Sequence, residues 1–95
     1  MATITLGANP ALVTPGNTSE NVVVFDPVMQ AGWPGFVTAT VEIVTGTLNF
    51  NTAGQAAANG ASYTTAGTKF IVSFRPADGL AVKAGSATDS FKISV

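Results

Sequence analysis

Apolar and polar residues alternate with a period of two in short stretches along this chain, and Gly, Pro, Asn or Asp closes each stretch. An extended strand sends successive side chains to opposite faces, so such a stretch buries one face and wets the other. Val37-Thr38-Ala39-Thr40-Val41-Glu42-Ile43 carries an apolar residue at every odd position. Phe70-Ile71-Val72-Ser73-Phe74 puts Phe70, Val72 and Phe74 on one side, and Phe91-Lys92-Ile93-Ser94-Val95 repeats the pattern. Further strands are expected at 3–6, 11–14, 21–25, 47–51, 61–65 and 80–82. Asn21-Val22-Val23-Val24-Phe25 is continuous rather than alternating, which suits a strand covered on both sides, by this chain or by another subunit.

Turn chemistry supports the same reading. Thr45-Gly46 reads as a tight hairpin between Ile43 and Leu48, and Pro76-Ala77-Asp78-Gly79 as a turn with Gly at positive φ. Thr14-Pro15-Gly16-Asn17 is another bend. Only residues 54–59 have local helix propensity, and Gly54 and Gly60 confine it to one turn at best, inside an uncharged loop over 51–62. About eight short strands at spacings near ten residues predict an all-β fold, a single-domain antiparallel β-sandwich or jelly-roll-like barrel. The domain spans 1–95, with 1–20 as an extended N-terminal arm or an edge strand. A chain of this length buries roughly 60–65% of its unfolded surface, so a partner would add useful burial.

Charge is scarce. Asp, Glu, Lys and Arg make up 9% of residues, where soluble domains average roughly 25%. Thr, Ser, Asn and Gly keep the surface wet instead, and a net charge of −1 offers little protection against self-association. Lys69, Arg75, Lys83 and Lys92 form no cluster able to release counterions from a phosphate backbone, so no nucleic acid is expected as a partner. No apolar run approaches the ~18 residues of a membrane span. The start at Met1, with no basic and apolar leader after it, fits a product made in the cytoplasm.

Catalysis has few candidates. The chain has no His and no Cys, the groups most used near neutral pH for acid–base work, nucleophilic attack and transition-metal ligation. A carboxylate pair among Glu20, Asp26, Glu42, Asp78 and Asp89 is formally available, yet Glu42 lies on the polar side of its strand and Asp26, Asp78 and Asp89 lie in or beside turns. Calcium needs several carboxylates close together, and no Asp-x-Asp spacing occurs. No enzyme activity, cofactor or metal is therefore expected.

Residues 27–35 stand out as a Pro- and Gly-rich loop that carries Val28, Met29 and Trp33. With Pro34 and Phe36 these form the expected partner-binding surface, since Trp and Met are enriched at the cores of protein contacts. Trp33 equally suits a plug closing one end of a sandwich.

A Met-initiated chain under 100 residues without Cys or His, rich in Thr, Ala, Gly and Val and ending in Gly85-Ser86-Ala87-Thr88-Asp89-Ser90-Phe91-Lys92-Ile93-Ser94-Val95, is similar in general character to the small capsid decoration (cement) proteins of tailed bacteriophages. The resemblance implies a β-rich structural protein on the virion exterior, made in the host cytoplasm, without catalytic activity. It also implies self-association, as a homotrimer, and bridging of major capsid protein subunits. Rival readings are an immunoglobulin-like adhesion or carbohydrate-binding module using Trp33 and Tyr63, and a tail-tube or pilus-like subunit that buries the 21–25 run between copies.

Overall fold

The computed structural model describes residues 2–95; Met1, the first residue of the expected arm, lies outside them. The chain forms nine strands, β1 (Ala2–Leu6), β2 (Ala11–Val13), β3 (Asn21–Phe25), β4 (Val37–Thr45), β5 (Leu48–Thr52), β6 (Ala61–Tyr63), β7 (Lys69–Phe74), β8 (Leu80–Ala84) and β9 (Ser90–Ser94). Five make one sheet in the order β1-β3-β8-β5-β6, and four make the other in the order β2-β9-β4-β7. Only β1 with β3 runs parallel; the other pairs are antiparallel. The two sheets pack face to face as a β-sandwich, and every expected strand is present.

The period-two pattern decides which side chains meet between the sheets. Along β4, Val37, Ala39, Val41 and Ile43 are buried, whereas Thr38 and Thr40 are exposed. On β3 the continuous run still resolves into two faces, with Asn21, Val23 and Phe25 buried and Val22 and Val24 half-buried. Aromatic rings tie the layers together. Phe50 of the five-stranded sheet meets Phe91 and Phe70 of the other edge-to-face, with centroids 5.0 and 5.3 Å away, and Tyr63 stacks flat on Phe70 at 3.8 Å.

The expected hairpin at Thr45-Gly46 does not form. β4 pairs with β7 and β9 while β5 pairs with β6 and β8, so Gly46 carries the chain from one sheet to the other. Asp89 explains the route. Its carboxylate accepts the N–H of Thr47 at 3.2 Å, and Thr47 accepts Gly85 N–H at 2.9 Å, so β5 leaves the turn bound to the 85–89 loop and not to β4. Gly46 has φ +79°, and a Cβ there would overlap the Asp89 carboxyl. Both the left-handed conformation and the close approach require glycine.

The 51–62 segment is shorter as a loop than expected, since β5 runs to Thr52 and β6 starts at Ala61. Between them a 3-10 turn at Ala57–Asn59 buries Ala57 completely against the five-stranded sheet. Glu20 fastens it from the far side of the sequence, its carboxylate accepting the N–H groups of Ala57 at 2.6 Å and Ala58 at 3.1 Å. At the N-terminus, residues 2–6 and 11–13 form edge strands of opposite sheets within the same molecule.

Phe91 is fully buried at the contact of the two sheets, so Phe91→Ala should cost about 3–5 kcal/mol in chemical denaturation. Asp89 adds a pH dependence. Burial pushes its carboxyl up, but the Ser86 hydroxyl and the N–H groups of Thr47, Ser86 and Gly85 outweigh this and hold it below the ordinary aspartate range. Its contribution is fully present above the unfolded-state pKa of about 3.9 and is lost as the pH falls through the lower folded-state value. Thermal unfolding below about pH 4 should therefore lose midpoint temperature more steeply for the native chain than for Asp89→Asn, which has no such titration.

Candidate interaction surface

One end of the sandwich gathers the loop at 26–36, the loop at 75–79 and the end of β5. The first of these is a chain of tight turns held by its own backbone. Val28 N–H donates to the Asp26 carboxylate at 2.9 Å, Met29 N–H to Asp26 O at 2.9 Å, and Trp33 N–H to Gln30 O at 2.9 Å. Gln30 Nε2 donates to Phe25 O at 2.8 Å, and Asp26 N–H to Leu6 O at 2.8 Å, which fixes the loop to β3 and β1. An Asp opening the loop is the reason, because its side chain closes an Asx turn on the backbone two residues on.

That ordered backbone divides the five expected surface residues. Met29 and Trp33 are half-buried and pack on the core, Trp33 meeting Phe25 edge-to-face at 5.3 Å. Val28 is 82% exposed and Phe36 is 58% exposed, and Pro34 is exposed beside them. Two shallow clefts adjoin them, one of about 120 Å³ between Trp33, Pro34, Pro76 and Ala77, the other of about 260 Å³ between Phe36, Arg75, Thr52 and Gly79. Sequence reasoning missed Arg75, whose guanidinium lies 5.1 Å from the centre of the Phe36 ring. A cation over an aromatic face is attracted by the ring quadrupole, so Phe36 is held outward, not folded in. No local signal in the sequence pairs positions 36 and 75; only the β4–β7 register, which sets Val37 opposite Phe74, brings them together.

Three of the five carboxylates hold the fold by hydrogen bonds, and Asp78 is exposed in the 75–79 loop. Glu20 holds the 3-10 turn, Asp26 closes its own loop, and Asp89 organises the 85–89 turn with Ser86 N–H and Oγ at 2.9 and 2.8 Å. Glu42 stands in register between Lys69 and Lys92 on the outer face of the four-stranded sheet. Among the described residues no three His, Cys, Asp or Glu side chains are grouped to hold a metal ion, and no helix is long and apolar enough to cross a membrane. Trp33 and Tyr63 line separate cavities, so they do not share one stacking platform.

Because Val28 and Phe36 stand in water while Trp33 supports the loop from beneath, their substitutions should separate. Val28→Ser should change unfolding free energy by less than about 0.5 kcal/mol, whereas Trp33→Ala, losing its packing on Phe25, should cost about 1–3 kcal/mol with the β signal in circular dichroism kept. Comparison with protein families, with curated proteins and with solved structures finds no match to this chain.

Proposed function

We propose that this protein is a non-enzymatic structural component of a virion, a decoration protein that docks on the major capsid protein from outside the particle. One observation carries the reading: Val28 and Phe36 are displayed in water on a loop whose backbone is braced by hydrogen bonds from Asp26 to Trp33 and which runs directly into β4 after Phe36. Exposed apolar groups cost nothing to desolvate and repay the ordering of an interface, and a braced loop has little conformational entropy left to lose. Scarcity of charge points the same way, because a weakly charged polar coat does not resist close contact with a large partner. The general resemblance to phage cement proteins supplies the identity of that partner.

A density gradient tests the proposal. The protein, mixed with capsids that lack it, should sediment with the particle, and a chain carrying Val28→Asp and Phe36→Ser should stay at the top while keeping its native circular dichroism. Native protein that never accompanies the particle, or a double variant that binds as well as the native chain, would overturn it.

A further inference from the structure

We infer that the free edge of β7 pairs with the same edge of a second copy, antiparallel about a two-fold axis through Ile71. This goes beyond the decoration reading and does not depend on it. β7 is the edge strand of the four-stranded sheet, and among the described residues it pairs only with β4. Its end is set by a bulge in which Gly67 N–H bonds Ile43 O at 2.7 Å and Ile43 N–H bonds Thr68 O at 2.9 Å, Gly67 having φ +89°. An antiparallel ladder alternates from there, so 68, 70, 72 and 74 face β4 and the N–H and C=O groups of Lys69, Ile71 and Ser73 face outward.

Nothing along this edge blocks pairing. Free edges are ordinarily guarded by Pro, bulges, inward charges or very short strands. β6, beside it across the mouth of the sandwich, and β2, at the opposite edge of its own sheet, have only three residues each; β1, the fourth edge, has five but exposes only Ala2, Thr3 and Thr5, with no large apolar side chain in water. β7 has six, with no Pro or Gly and one Lys at its start. Ile71 stands 71% exposed at its middle. Phe70 and Val72 are only half-buried, because the groove of about 300 Å³ between β6 and β7 leaves their inner face open beside Tyr63.

The strand is complementary to itself in one register. Centring on Ile71 sets Ile71 against Ile71 of the second copy and Lys69 against Ser73 on the outer face. On the inner face it sets Phe70 against Val72, twice, an aromatic against a β-branched residue. The register shifted by two toward the C-terminus sets Lys69 against Arg75, like charges directly opposed, which is unfavourable. The register shifted by two toward the N-terminus sets the Lys69 ammonium against Ile71, so the exposed isoleucine loses its apolar partner. The alignment centred on Ile71 is thus the one that matches charge and shape together, and its occupant is a second copy, joining two four-stranded sheets into one of eight. The contact is two-fold by construction, so it is distinct from the three-fold assembly that the family resemblance implies. A single edge is small beside the ~800 Å² per partner of a standard interface, so the dimer should be weak, forming toward sub-millimolar concentration.

Sedimentation equilibrium of the full chain over a concentration series tests this. Native protein should rise toward twice the monomer mass. Ile71→Lys, which sets like charges against each other at the axis, should weaken association at least tenfold, and Ile71→Pro, whose missing N–H lies on the free side of the ladder, should abolish it with the fold checked by circular dichroism. Should Ile71→Pro fail to fold, Ile71→Lys decides alone. The chain has no Cys, so register can be read directly: Ile71→Cys should give a disulfide-linked dimer under mild oxidation, and Lys69→Cys should not. A monomer at every concentration, a dimer or trimer whose mass Ile71→Lys leaves unmoved, or cross-linking through position 69 and not 71 would each overturn the inference.

Discussion

Nearly every connection in this protein crosses from one sheet to the other, and that crossing is the constraint on which the rest of the structure depends. Of the strands adjacent in sequence, only β5 and β6 are also hydrogen-bonded neighbours. A single hairpin is marginal in water even when its strands are adjacent, so here almost no local piece is stable by itself. The ladder of each sheet exists only when distant segments have come together, and what brings them together is burial of the shared apolar faces. The Phe50, Phe91 and Phe70 rings, drawn from both sheets, stand at that junction. Backbone pairing and core closure are then one event, and cooperativity follows from connectivity.

A sandwich closed in this way uses two of its few charged groups as braces. Glu20 and Asp89 each satisfy backbone N–H groups that a crossing chain would otherwise leave unpaired, at the 3-10 turn and at the β4–β5 passage. At Asp89 the hydrogen bonds from Ser86, Thr47 and Gly85 favour the ionised form, which keeps the brace in place. Two surface features are displayed on this frame: a loop bearing Val28 and Phe36 at one end, and a strand edge centred on Ile71 along one side. Both present apolar groups from hydrogen-bonded backbone, which lowers the entropic cost of contact.

Much of the fold could be read in the residues. Val37 to Ile43 alternates so regularly that its buried face is unambiguous, and the 21–25 run, though continuous, lies where a strand was expected. The hairpin at Thr45-Gly46 was misread for an identifiable reason. Glycine at positive φ permits reversal of the chain, but the plane in which the next strand runs is set by Asp89, which lies 42 positions from Thr47. The surface loop was legible as a loop with apolar residues; its division into supporting Met29 and Trp33 and displayed Val28 and Phe36 was not, because Phe25 on β3 and Arg75 just past the end of β7 make that division from distant parts of the chain.

By itself the sequence determined that this chain makes strands, which side of each strand is dry, and that it has neither imidazole nor thiol to offer to chemistry. Those are local properties, fixed by the period of the pattern and by the functional groups present. Only the tertiary structure decided strand order, the passage from β4 in one sheet to β5 in the other, the bracing duties of Glu20 and Asp89, and which strands lie at the edges. Each of these depends on residues far apart in the chain meeting across a core, and a pattern of period two is identical for every order in which its strands could be laid side by side.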